Sequence, residues 1–328
     1  NDSFEIAGAV SGILYGGAGD DRFVFTAGAG LLGMVDGGQG TDTLDWSAMI
    51  TARMVSLTMT GVTDGFDGTE ASISAGFMNI NALLGSLGMG DVLTVWTTDN
   101  NWQIGTTYTV STGAKTVRFD GFESLNGSAG NDSFAFTGSA DFAGVIDGQG
   151  GTDTLSFAGY GAGRNIQIVS VGVLDGFNLS VLGLNSTLRN MNVLVGSAFG
   201  DVLAGMNDAG TWLINGLNNQ YVHGNVLDFS GVENLLGGLG VDRFVIADGA
   251  SFSGALDGGA GLDSLDYTGW QSGITVNLGA GTGTGVGGVD NIENIFGGLG
   301  NDDLSGDGNG NILDGGLGDD VYRFLSDW

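Results

Sequence analysis

Gly297-Gly298-Leu299-Gly300-Asn301-Asp302-Asp303-Leu304-Ser305 is followed by Gly306 to Asp314. Then comes Gly315-Gly316-Leu317-Gly318-Asp319-Asp320-Val321-Tyr322-Arg323. These are three nine-residue units in a row. The first and third fit G-G-x-G-x-D-x-U-x, where U is a large apolar residue, and the middle one is degenerate. Each unit reads as a glycine turn followed by a short strand, and stacked units of this period make a parallel β-helix. Glycine supplies the positive-φ backbone that such a tight turn needs.

The same turn recurs upstream at wider spacing. Gly16-Gly17-Ala18-Gly19-Asp20-Asp21 leads into Arg22-Phe23-Val24-Phe25. It returns at Gly127 to Phe136 and at Gly237 to Ile246, which spaces Asp21, Asp132 and Asp242 evenly along the chain. A second turn follows each, from Asp36, Asp147 and Asp257, and carries Asp42, Asp153 and Asp263 at the same spacing. Periodicity of this kind calls for a repeat architecture before any other fold. The repeats run over residues 16–126, 127–236 and 237–300, and plain nonapeptides follow over 297–324. The third repeat is abbreviated, since Gly300 follows Gly261 more closely than Gly90 follows Gly40.

Within a repeat the two turn aspartates stand twenty-one residues apart, whereas Asp302 and Asp320 stand eighteen apart. Two nine-residue units make the undecorated coil, so the longer step is one coil with a small loop added. Asp21 and Asp42 are therefore predicted to lie one above the other on one edge. After each turn the apolar residues alternate, as a half-buried strand requires. The pairs Phe23/Phe25, Leu44/Trp46, Phe134/Phe136, Leu155/Phe157, Phe244/Ile246, Leu265/Tyr267 and Tyr322/Phe324 are predicted to be core rungs. No capped amphipathic helix stands out, and the chain reads as all-β and as one elongated solenoid over residues 1–328 with looped-out coils.

Composition agrees. Glycine makes up 66 of 328 residues and proline is absent. Proline cannot donate a ladder hydrogen bond, so a backbone made mostly of inter-coil ladder has little room for it. Cysteine is absent too, which excludes disulfides, thiolate chemistry and cysteine-ligated zinc. The net charge is −29, and 32 of the 37 acids are aspartate. Aspartate in such excess points to turns and to oxygen-ligand cation sites. One lysine, Lys115, and seven arginines leave little to hold a nucleic-acid backbone. No apolar run reaches the roughly 18–20 residues of a membrane helix. The start at Asn1-Asp2-Ser3-Phe4 reads as a turn motif without its leading glycines, as in a piece of a longer or processed polypeptide.

At the Gly-Gly-x-Gly-x-Asp turns the sequence resembles the repeats-in-toxin (RTX) family of secreted calcium-binding proteins. Full matches begin at Gly16, Gly37, Gly237, Gly258, Gly297 and Gly315; at Gly127 and Gly148 the second glycine is Ser128 or Gln149. The long repeats look similar to those of giant bacterial surface and adhesin-type proteins. The resemblance implies a right-handed parallel β-helix, a β-roll, with several calcium ions between stacked turns. It makes Asp21, Asp42, Asp132, Asp153, Asp242, Asp263, Asp302 and Asp320 the ligand candidates, with Asp2 joining below Asp21. Calcium accepts six to eight oxygens, which suits turn carbonyls combined with carboxylates. The short step from Asp302 to Asp320 is the place where a fully formed site is most expected. The resemblance further implies one-step bacterial secretion of an unfolded chain that folds outside the cell on meeting calcium.

No enzyme is expected. His223 is the lone histidine, and neither G-x-S-x-G nor H-E-x-x-H occurs. The expected role is a calcium-stabilised structural segment of an extracellular fibre, surface layer or adhesin that continues head to tail or in tandem into further copies of itself. The alternatives are an adhesive module for cell-surface glycans or ice, using loops around Trp102 and Trp212, and, further off, a β-helix enzyme acting on polysaccharide.

Overall fold

The computed structural model describes residues 1–96 and 98–324. They form two compact units: Asn1–Gly159 with Leu184–Met191, and Tyr160–Gly183 with the chain from Asn192 on. Among the described residues there are strands and turns but no helix.

In the first unit successive strands alternate between two parallel ladders. Ser3–Ile6, Arg22–Phe25, Thr43–Asp45 and Ala82–Leu84 stack in register, so Phe4, Phe23, Leu44 and Leu83 form one rung line. Between them in sequence, Ala9–Ala18, Gly30–Gln39 and Ile73–Ile80 build the other ladder. The alternation of side chains sends Phe23, Phe25, Leu44 and Trp46 inward, where they are fully buried. Phe4 stacks on Phe23 with centroids 4.7 Å apart. The strand after each turn is thus the core rung that its alternation predicts.

The second unit repeats the plan. Trp212, Phe244, Leu265, Ile295 and Leu313 follow one another in parallel register. So do Ile166, Leu203, Leu235, Leu256 and Val289 in the other ladder. Both the longer register step (Arg243 on Ser264) and the shorter one (Asp303 on Val321) occur, as the spacing of the turn aspartates predicts.

The irregular middle of a repeat is a three-stranded antiparallel meander set into the parallel stack. Met54–Thr60, Phe66–Glu70 and Ile73–Ile80 make one. Asn101–Ile104, Tyr108–Thr112 and Lys115–Asp120 make another in the opposite ladder. Their outer strands keep parallel pairing with the coils on either side, as where Met54 lies on Val92 and Ile73 on Leu31. In the abbreviated third repeat the meander is kept but shortened to Thr275–Asn277, Thr282–Gly283 and Val286–Asp290, which accounts for the shorter spacing.

Two expectations change. Trp102 and Trp212 are not loop residues available for adhesion. Each lies in the first strand of a meander, is fully buried, and stacks on Phe134 (5.5 Å) or Phe244 (5.8 Å). Tyr322 and Phe324 are 43% and 65% exposed rather than core, because no described coil lies over them.

Candidate metal centre

The sixth-position aspartates sit where strand meets turn, and their carboxylates point inward. Asp21, Asp42, Asp132, Asp153, Asp242, Asp263 and Asp302 are 0–1% exposed. Asp320 is half-buried and Asp2 is exposed. One oxygen of each carboxylate serves the neighbouring coil. Asp42 Oδ1 accepts the Asp21 backbone N–H at 2.9 Å, and Asp21 Oδ1 accepts that of Asp2 at 2.5 Å. Asp153 takes the N–H of Asp132 at 2.8 Å, Asp263 that of Asp242 at 2.7 Å, and Asp320 that of Asp302 at 2.9 Å. The stacked aspartates are therefore a ladder of acceptors. It satisfies turn N–H groups that strand pairing leaves over.

The fifth position runs the other way. Asn1 Oδ1 accepts from Asp20 N–H at 2.7 Å, Asp20 from Thr41 at 2.8 Å, Asn131 from Thr152 at 2.8 Å, and Asn301 from Asp319 at 3.0 Å. An Asn-Asp or Asp-Asp pair thus staples its coil to the coil before it and the coil after it.

The first-position glycines at 16, 37, 237, 258, 297 and 315 each lie against their own carboxylate. A Cβ on Gly37 would strike Asp42 Oδ2 and the Asn79 carbonyl; on Gly258 it would strike Asp263 Oδ2 and the Asn291 carbonyl. Asn79, Asn190 and Asn291 are in left-handed backbone, at φ 55°, 53° and 49°. That conformation is uncommon for a side-chain-bearing residue, and asparagine tolerates it best. It turns the carbonyl into the cradle beside the carboxylate. The Asn79 and Asn291 amides are tied to Asp36 (2.8 Å) and Asp257 (2.7 Å) before the turn. In calcium, Asn291→Ala is expected to lose about 1–2 kcal/mol, since it removes this bond and forces alanine into left-handed backbone. Asn291→Gly is expected to lose less, which denaturant titration of both variants checks.

Sequence reasoning missed several ladder members. Asn81 Oδ1 takes the Asp42 N–H at 3.0 Å. Glu123, Glu233 and Glu293 take the N–H groups of Asp91 (2.8 Å), Asp201 (2.7 Å) and Asp263 (2.7 Å). The shared signal is a carboxylate or amide one residue before a short strand. At the Gly85 turn the aspartate comes one residue late, yet Asp91 is as buried as the rest.

The second carboxylate oxygen carries the chemistry. At Asp21, Asp42, Asp242 and Asp263, Oδ2 is buried and receives no hydrogen bond. Burial pushes Asp42, Asp242 and Asp263 up to about 6, against the backbone N–H each accepts. Neighbouring acids add to it: Asp21, Asp64 and Asp20 at Asp42, Asp263 at Asp242, and Glu293 and Asp257 at Asp263. Asp45 marks the contrast. Burial pushes its carboxyl up as well, but donors on Ser47 and Arg22 outweigh that and hold it below the ordinary range.

A buried carboxylate oxygen without a donor, next to an inward-turned carbonyl, fits a hard, oxygen-seeking cation. No group of three or more acidic or histidine side chains gathers to hold a metal among the described residues, so backbone carbonyls would have to supply much of the shell. His223 Nδ1 lies 2.9 Å from the Ala209 carbonyl, and the histidine opposes the upward push on Asp242. The chain matches no protein-family model and no curated protein.

Proposed function

We propose that this chain is a structural segment of an extracellular bacterial fibre, surface layer or adhesin, built as a right-handed RTX-type β-roll and stapled by calcium. The single observation that supports it most is the set of four buried, donor-less oxygens on Asp21, Asp42, Asp242 and Asp263. Each leaves one buried carboxylate oxygen without a donor, which is costly unless a proton or a cation joins it. Calcium would bind only the stacked state, because one turn alone does not assemble the cradle. Metal binding is then folding free energy. With a net charge of −29 the calcium-free chain also repels itself. It would stay unfolded at low calcium, during secretion, and fold outside the cell.

In this role the protein binds further copies of itself, in tandem or head to tail, and has no catalytic task. Circular dichroism tests the proposal. Excess EDTA at neutral pH is expected to abolish the β signal and calcium to restore it, magnesium doing so poorly because it holds its waters. A full β spectrum and unchanged thermal stability in EDTA would refute it. Sedimentation in calcium tests self-association, and a monodisperse monomer at all concentrations removes that part.

A further inference from the structure

The turns of this chain come in two forms, which the sequence motif does not separate. In the open form, at Asp21, Asp42, Asp242 and Asp263, the inner oxygen lacks a donor. In the closed form that oxygen is already taken. Asp132 Oδ2 accepts the Ser128 N–H at 2.7 Å, Asp201 Oδ2 that of Ser197 at 2.6 Å, and Asp302 Oδ2 that of Gly298 at 2.9 Å. Asp91 Oδ2 accepts from Ser86 N–H in the same way. The serine hydroxyls add a second bond, Ser128 Oγ to Asp132 Oδ2 at 3.2 Å and Ser197 Oγ to Asp201 Oδ2 at 3.0 Å.

The switch is the backbone of the second turn residue. Gly17, Gly38, Gly238 and Gly259 have φ of 95°, 98°, 136° and 86°, which swings the N–H away from the carboxylate. Ser86, Ser128, Ser197 and Gly298 are not in that region. Part of the cause is the residue before the turn. Asp257 Oδ1 captures the Gly259 N–H at 2.9 Å, as Asp147 captures that of Gln149 and Asp314 that of Gly316, both at 3.0 Å. Leu84, Val195 and Phe296 stand there before closed turns and cannot; nor does Asn126. Gly17 and Gly238 lie in register on Gly38 and Gly259 and share their backbone state, which glycine permits, whereas Ser128 lies in the same register on Gln149 at φ 73° and does not follow it.

A donor hydrogen occupies the lone pair that a cation would use, and it relieves the same buried charge. We infer that in the closed turns the second-position N–H, aided by serine, stands in for calcium. On this inference the turns ending at Asp91, Asp132, Asp201 and Asp302 hold no ion, while those ending at Asp21, Asp42, Asp242 and Asp263 do. It rests on the calcium reading above, and it excludes an ion at Asp302 although the Gly297 turn matches the full motif.

The test compares Asp42→Asn and Asp263→Asn with Asp132→Asn and Asp302→Asn. Bound calcium per chain is measured by equilibrium dialysis, and melting temperature with and without calcium. Asparagine keeps the Oδ1 acceptor, as Asn81 already does in the ladder, so the open-turn variants can fold. Each open-turn variant should lose at least one bound ion and part of the calcium-induced rise in melting temperature. In EDTA at about pH 5 it should melt no lower than the unaltered chain. Each closed-turn variant should keep its full calcium count. It should melt lower in every buffer, because the Asn amide would face an N–H donor. If a closed-turn variant is too unstable to dialyse, Ser128→Gly gives the converse: an added ion, or none if the inference is wrong. Loss of calcium from Asp302→Asn equal to that from Asp263→Asn overturns the inference and leaves the calcium reading standing. No calcium on the unaltered chain overturns both.

Discussion

In calcium-free buffer the chain is expected to be several kcal/mol more stable at about pH 5 than at neutral pH, the reverse of ordinary acid denaturation. The sign follows from the folded-state values. Burial, with weaker help from neighbouring acids, lifts Asp42, Asp242 and Asp263 to about 6. The unfolded chain titrates these groups near the ordinary aspartate value of about 3.9. Between those limits the folded chain holds more protons than the unfolded one. Stability therefore falls as pH rises through the window and stays low above it. The rise corresponds to at most about 3 kcal/mol for each group taken alone, and nearby solvent screens part of it. Relief of general repulsion acts in the same direction. Calcium should flatten the profile, because the cation replaces the proton. Circular dichroism in EDTA at both pH values, with urea titration in calcium at both and in EDTA at about pH 5, checks this. A calcium-free chain that is most stable at neutral pH would show that these carboxylates are not buried charges in solution.

Much of this was legible in the sequence, for reasons that are local. A glycine turn followed by alternating apolar residues fixes the rung, so Phe23 and Phe25 or Phe134 and Phe136 follow directly from the motif. The spacing of the turn aspartates gives the stacking partners. What was hidden depends on neighbouring coils. Phe66–Glu70 reads Phe-Asp-Gly-Thr-Glu and shows no apolar alternation, so nothing local marks it as a buried strand or sets the direction of its partner. Trp102 and Trp212 lie in stretches without a glycine turn, so nothing local marks them as core. Glu123, Glu233, Glu293 and Asn81 do the work of the turn aspartates with a different side chain, outside the motif. The open and closed turns were furthest from view. Gly298 and Gly259 are the same residue at the same motif position, and the difference lies in Phe296 against Asp257 before the turn and in the coil stacked alongside.

Trp212→Ala is expected to cost about 3–5 kcal/mol in calcium, the usual loss for removing a fully buried large aromatic side chain. The indole is enclosed on three sides. Phe244 stacks on it at 5.8 Å and 5°, while Tyr221 at 4.7 Å and Phe229 at 5.9 Å meet it edge-on. Tyr221 and Phe229 come from the two other strands of its meander, and Phe244 from the next coil. The one side chain therefore joins the antiparallel insertion to the parallel stack. The surrounding backbone is held by ladder hydrogen bonds on both sides of Thr211–Ile214, so it cannot collapse far into the space left behind. Trp212→Phe should lose clearly less. It keeps most of the stacking on Phe244, and the indole Nε1 has no hydrogen-bond partner to forfeit. Guanidinium unfolding monitored by circular dichroism, with calcium held in excess, separates this from any effect on the aspartate turns. A loss below about 1 kcal/mol for the alanine variant would mean that the meander is not packed on the stack. The inserted strands would then be an ornament on the parallel stack instead of part of its core.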